Sequence, residues 1–196
     1  MASAMIDELR AAYASGDRVR ILRDGLAEDV DVLRGIVVAV GRDWFMVAVY
    51  DDSVYFEGWD VARIADITAV EVEPPEFQAY ARRAAVESLA MPAVPLALLE
   101  ALALPALDVA RRVITASGLI GVYVEDDDDP DVLFIGRHTT GPDEDIWLLE
   151  IDVAGLWHDE PSSFDPGEIT RLTIGGRYQD ALERYGEPFP GTGGGA

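Results

Sequence analysis

Apolar positions along this chain switch between two periods, and the switch happens twice. Residues 2–14 and 96–115 read as helices, and each stops at a Ser-Gly pair, Ser15-Gly16 and Ser117-Gly118. Glycine ends helices because it tolerates the backbone that closes the last turn. Behind each helix comes a set of short β-branched and aromatic runs. In the first half these are Val19–Leu22, Leu33–Val40, Trp44–Tyr50, Val54–Phe56 and Ile67–Val72. In the second they are Ile120–Val124, Val132–Ile135, Ile146–Ile151, Gly155–Trp157 and Ile169–Ile174. Turn residues such as Arg23-Asp24-Gly25 and Asp51-Asp52-Ser53 separate them, which predicts strands. A further helix closes each half, Glu76–Leu89 and Tyr178–Tyr185. The pattern is helix, five short strands, helix, and then the same again. Five short strands with little chain between them suit a strongly bent sheet that closes on itself and so protects its edges.

The letters repeat along with the pattern. Ala14-Ser15-Gly16 returns as Ala116-Ser117-Gly118, Asp31-Val32-Leu33 as Asp131-Val132-Leu133, and Ile67-Thr68 as Ile169-Thr170. Gly41 and Asp43 return as Gly141 and Asp143, and Phe77-Gln78 as Tyr178-Gln179. The matches keep their order and nearly their spacing, so the expectation is a duplication. The expected fold class is mainly β with flanking helices (α+β), built as two tandem units: residues 1–90, residues 91–188, and a flexible glycine-rich tail at 189–196. Residues 91–109 are apolar almost all round, with residues 91–107 interrupted by Pro92, Pro95, Glu100 and Pro105. Such a segment is expected between the two units, or at a dimer surface if left open.

The first unit resembles the Sm/LSm small-barrel family. Leu33-x-Gly35-x-Val37-x-x-Val40, followed by Asp43-x-x-Met46-Val47, is similar to the first Sm signature. Phe56-Glu57-Gly58-x-x-Val61-x-x-Ile64 is similar to the second. The second unit shares the likeness only through the internal repeat. The resemblance implies small five-stranded barrels that assemble through exposed strand edges, a tandem pair satisfying one such edge within the chain. It also implies an RNA pocket made by an Asn of the first signature and an Arg of the second. Here those positions hold Val47 and Glu57, an aliphatic and an anion, and the second unit offers Leu149 and Ala154. The inherited RNA contacts are therefore expected to be absent.

Charge points the same way. The chain holds 37 acidic and 15 basic residues, net −22, and every base is an arginine. A field of that sign repels phosphate, so nucleic acid is an unfavourable partner unless Arg18, Arg20, Arg34, Arg63, Arg82 and Arg83 gather on one surface. The excess is uneven: residues 1–98 hold 17 acids and 9 arginines, residues 99–196 hold 20 and 6. Without cysteine there is no disulfide framework, thiolate nucleophile or thiolate zinc site. Asp7, Glu8 and Arg10 interrupt the opening residues, which argues against a secretion signal, and no apolar run is long enough to span a bilayer. A cytoplasmic protein away from membranes is the expectation.

Glu125-Asp126-Asp127-Asp128-Asp129-Pro130-Asp131 packs six carboxylates into seven residues. It falls between the first two strands of the second half, where a hairpin loop can keep charge in water. As a calcium loop counted from Asp126 it fails, with Asp131 where glycine belongs and Arg137 where the closing glutamate belongs. Glu125, Asp126, Asp127, Asp128, Asp129 and Asp131, with Trp59 as an exposed aromatic, are the expected contacts for a basic partner. His138 and His158, with Asp143, Glu144, Asp159 and Glu160 near them in sequence, are the acid–base or metal candidates, yet neither histidine has a helical i, i+4 partner. No catalytic set, cofactor or metal is assigned. The functional expectation is a non-enzymatic acidic interaction or regulatory module, of the kind that covers a cationic enzyme or toxin. The alternatives are a degenerate Sm-like RNA binder and a carboxylate/His hydrolase.

Overall fold

The structure is a computed structural model, and it describes residues 2–24, 26, 32–50, 55–87, 93–125, 132–142 and 144–191. Helix α1 (Ala2–Ser15) leads into strands β1 (Arg18–Leu22), β2 (Leu33–Val40), β3 (Trp44–Tyr50), β4 (Phe56–Arg63) and β5 (Ala69–Val72), with a 3-10 turn at Ile64–Asp66 before β5. Helices α2 (Pro75–Glu87), α3 (Leu96–Ala101) and α4 (Ala106–Ala116) join the halves. Strands β6 (Ile120–Tyr123), β7 (Leu133–Thr139), β8 (Ile146–Glu150), β9 (Ser162–Phe164) and β10 (Arg171–Ile174) follow, and α5 (Arg177–Tyr185) is the last element.

The mainly β, helix-flanked class is as the pattern predicts. The closure is not. In place of two sheets each closed on itself, the ten strands form one antiparallel sheet in the order β5-β1-β2-β3-β4-β10-β6-β7-β8-β9. The first five strands occur in the order 5-1-2-3-4, and the second five repeat it. The halves meet where β10 lies beside β4, with Arg171 opposite Ala62, Leu172 opposite Val61, Thr173 opposite Asp60 and Ile174 opposite Trp59.

β3 explains why the sheet needs cover on both faces. Its residues alternate, Trp44, Met46 and Ala48 to one side and Phe45 and Val47 to the other, and all five are buried. The Phe45 face packs with Leu9 and Ala12 of α1 and with Val19, Ile21 and Val37. The Trp44 face packs with Leu98 and Ala101 of α3 and the adjoining Leu102, with Val109, Ala110, Val113 and Ile114 of α4, and with Ile120, Val122, Leu148 and Leu172 of the second half. One apolar core thus spans the boundary between halves, and burial of that kind is the main favourable contribution to folding. The Trp44 indole N–H donates to the Ala106 carbonyl at 3.0 Å, satisfying the polar atom that burial would otherwise strand.

Three other expectations change in detail. The helix over 96–115 is two helices, because Pro105 cannot continue α3 and instead sits at the start of α4. Its apolar residues split between the shared core and solvent, where Leu96 and Leu107 are 68% and 55% exposed. The strand expected at Val54–Phe56 begins at Phe56 and runs on to Arg63, so Glu57-Gly58 is inside a strand, and Val54 falls outside the described residues. Gly155–Trp157 is a turn instead of a strand. The Asp152 carboxylate accepts from the Ala154 and Leu156 amides at 2.8 and 2.9 Å and curls the chain, leaving a single bridge between Ile151 and Trp157. β9, later in sequence, supplies the fourth strand of the second half.

Candidate functional site

The joint between the halves holds a cluster of four charges away from water. Arg23 follows β1, Asp60 lies on β4, Glu125 follows β6 by two residues, and Arg171 opens β10. Each lies on a strand of the central sheet or within two residues of one, so the backbone fixes where its charge can go. The Arg23 guanidinium donates to both Glu125 oxygens, at 2.5 and 2.6 Å, and both side chains are fully buried. A second cation, Arg171, reaches Glu125 at 3.0 Å and Asp60 at 3.4 Å. The Thr170 hydroxyl donates to Glu125 at 2.6 Å, and the Arg171 guanidinium lies 3.7 Å from the centre of the Tyr123 ring. Paired guanidinium–carboxylate forks are strong and directional, so the cluster sets the register of one half against the other.

The two acids respond to this setting in opposite directions. Burial pushes the Asp60 carboxyl up, and this outweighs the pull of Arg171, of the Thr173 hydroxyl and of Arg23. Burial also acts on Glu125. There the Arg23 hydrogen bonds, the charges of Arg171 and Arg23 and the Thr170 hydroxyl prevail, and its carboxyl lies below the usual range. Asp60 takes up a proton in the folded state before it would in the unfolded chain, so its contribution favours the fold at low pH and is lost as pH rises through the folded value. Glu125 acts the other way: its contribution is full above the unfolded value and is lost as pH falls through the folded one. Acidification from neutrality therefore meets Asp60 first, and stability rises before it collapses on Glu125 protonation. Urea midpoints measured against pH should show that rise in the parent chain and a flatter approach in Asp60→Asn. An Asp60→Asn profile as steep as the parent's would assign the rise to relief of general repulsion in a chain of net charge −22.

The predicted partner contacts are distributed differently. Glu125 is 3% exposed and committed to Arg23 and Arg171, so it is a structural anchor and no surface acid. Asp126, Asp127, Asp128, Asp129 and Asp131 lie outside the described residues. Trp59, expected at the surface, is 8% exposed: it packs in the shared core and meets Phe56 edge-on at 4.8 Å. It sits in β4, beside the joint, where the sheet leaves its ring no path to solvent.

His138 on β7 and His158 after the 152–157 turn are both exposed. Glu144, Asp159 and Glu160 are exposed too, and Asp143 is outside the described residues. Among the described residues no group of three His, Asp or Glu side chains is placed to hold a metal ion. No described helix is long and apolar enough to cross a membrane.

Sequence reasoning missed Arg23, Asp60 and Arg171. A signal existed: Asp60 is set between Trp59 and Val61 in FEGWDVAR, and Arg171 is the one charge of RLTI. A charge in such a place is either at an edge or paired.

Many of the arginines pair with acids of the same chain. Arg18 pairs with buried Glu73 at 3.0 Å, Arg20 with Glu71 at 3.3 Å, Arg63 with Asp66 at 2.7 Å and Arg137 with Glu183 at 3.2 Å. Arg177 pairs with Glu57, the residue at the place where the Sm signature carries its cation. In the second half Asp159, Glu160, Asp165, Glu168, Asp180 and Glu187 remain exposed. No family model, no curated protein and no solved structure matches this chain.

Proposed function

We propose that the chain is a non-enzymatic, acidic protein-interaction module, derived from a duplicated Sm-like unit, that binds a basic partner protein. One observation carries the reading: at least nine of the fifteen arginines pair with acids of the same chain, while a larger number of carboxylates is left on its surface. Of the six arginines that an RNA surface would need, Arg18, Arg20 and Arg63 are engaged with Glu73, Glu71 and Asp66. Arg34 and Arg83 are exposed, and the Arg82 side chain is outside the description. Val47, at the position of the Sm amide, is fully buried, and Glu57 is an anion tied to Arg177. Those two positions are poor contacts for RNA. A surface of one sign raises the encounter rate with a partner of the other, and the effect is screened by salt.

The duplication is supported by the repeated strand order and by a shared local device. Gln78 in the first half and Gln179 in the second are both buried in the opening turns of the closing helix, α2 or α5. Gln78 donates to the Glu73 carbonyl at 3.3 Å, just past β5, and Gln179 to the Thr173 carbonyl at 3.0 Å, in β10. The edge pairing of β4 with β10 is the arrangement that the Sm resemblance implies for a tandem pair.

The test is an affinity pull-down from native lysate at low and moderate salt, with nucleic acid in the eluate quantified. A basic protein held at about 50 mM salt and shed by about 300 mM, where the Debye length has more than halved, is the expected result. Recovery of RNA in stoichiometric amount, or a partner whose retention ignores salt, would overturn the reading.

A further inference from the structure

The two halves share a strand order but differ at one edge. In the second half the outer edge of its fifth strand, β10, is filled: β4 lies along it, antiparallel and in register over four residues. The fifth strand of the first half, β5, stands at the end of the sheet and pairs only with β1 among the described residues. The ladder tells which groups it leaves unpaired. The Glu73 amide donates to the Arg18 carbonyl at 3.0 Å, so Glu73 and, by alternation, Glu71 turn their backbone groups toward β1. Val70 and Val72 therefore turn theirs outward.

The opposite end of the sheet is the more heavily protected. β9 is three residues long, preceded by Glu160-Pro161 and followed by Asp165-Pro166, the usual defences of an edge. β5 is one residue longer, has prolines on one side only, at Pro74-Pro75, and leaves Val72 61% exposed. Beside its end lies a cleft of about 490 Å³ lined by Asp17, Val72, Glu73, Pro74, Pro75 and Gln78. Phe77 and Tyr80, 48% and 42% exposed, are three residues apart on α2 and so share a face.

We infer that β5 is a strand-accepting edge, and that the basic partner adds an extended, antiparallel segment along Ala69–Val72. The inference rests on the proposed function for the sign of the partner and on the β4–β10 joint for the mode. The occupant has alternating apolar and cationic residues, because Asp17 and Glu76 flank an edge whose exposed side chain is a valine, and Glu71, paired with Arg20, brings no net positive charge to it. Main-chain hydrogen bonds to Val70 and Val72 supply the affinity, and the cleft selects the side chain beyond Val72. A second copy is the poorer occupant: its free β9 is short and preceded by proline. The place that Arg171 takes in β10 is held in β5 by Ala69, so the ion pair with Asp60 has no counterpart there.

The probes are synthetic peptides, one alternating valine with arginine and one alternating valine with glutamate, added to the full chain. The readout is amide exchange at Val70 and Val72, with Glu71 as the internal control already bonded to β1. The arginine peptide is expected to slow exchange at both valines by at least about tenfold and the glutamate peptide to leave it unchanged. Val72→Pro should abolish the protection at Val70 without changing the melting temperature, since the nitrogen it removes points away from β1. Binding of the arginine peptide with exchange slowed elsewhere overturns the edge while sparing the acidic reading. Equal protection by both peptides overturns the cationic occupant while sparing the edge. Protection without peptide that grows with protein concentration assigns the edge to a second copy, and absence of protection under every condition refutes the site.

Discussion

Glu125→Ala is expected to cost about 3–5 kcal/mol, because it leaves two buried guanidiniums without their shared anion. Arg23 and Glu125 are both at 0% side-chain exposure, and Arg171 is at 7%, so no solvent is at hand to take up the released charge. Equilibrium urea unfolding reads this loss directly. The double variant Arg23→Met with Glu125→Leu removes one charge of each sign and leaves Arg171 facing Asp60, so it should recover most of what the single change loses. The comparison separates two meanings of a buried ion cluster. If the cluster contributes register more than net stability, the double variant folds with near-parental stability but with a looser joint, seen as faster amide exchange along β4 and β10. A single-variant loss below about 1 kcal/mol would place the cluster in contact with water and refute its role as an anchor.

That anchor marks how far the sequence could be read. Periodicity located eight of the ten strands to within a few residues, since each is a compact apolar run between turn residues, and it located helices α1, α2 and α5; it cut β4 short and missed β9. It also flagged the acidic run, but composition alone cannot say which carboxylate will find a cation. Glu125 looked like the first letter of a wet loop. Its partner Arg23 is 102 positions away and was itself read as part of a turn. The same limit hid Trp59. Glu57-Gly58 has the letters of a turn, but Gly58 lies in β4 at φ +109, a backbone that serves close packing against β10. Local sequence reports turn chemistry and strand chemistry in the same letters when a glycine does the work. Closure failed for another reason. Short strands predict a bent sheet, but whether each half closes on itself or continues into its neighbour depends on the pairing of β4 with β10, a contact between residues more than 100 positions apart.

The joint also depends on two glycines, and Gly176→Ala tests it without touching charge. Gly176 has φ +98 and precedes α5, and a Cβ built there would overlap the Glu57 carbonyl. Gly58, facing it, would bring a Cβ within 2.7 Å of the Ile174 and Gly175 carbonyl oxygens. Both clashes are with backbone, which cannot rotate aside as a side chain would. Backbone strain on an alanine at φ +98, ψ 159 adds about 1–3 kcal/mol and forced repacking about 1–3, so Gly176→Ala should lose about 2–6 kcal/mol. Gly167→Ala is the control, since its nearest neighbour is the Asp165 carboxylate at 3.2 Å, the end of an exposed side chain. That change should stay within about 0.5 kcal/mol. The consequence reaches function, because a strained Gly176 pushes β4 from the end of β10 and leaves the ends of both strands seeking partners. Gly176→Ala protein should then become prone to self-association where the parent is not, measured by sedimentation at matched concentration. Equal stability of the two alanine variants would mean that β4 and the turn into α5 do not approach as closely as the glycines permit.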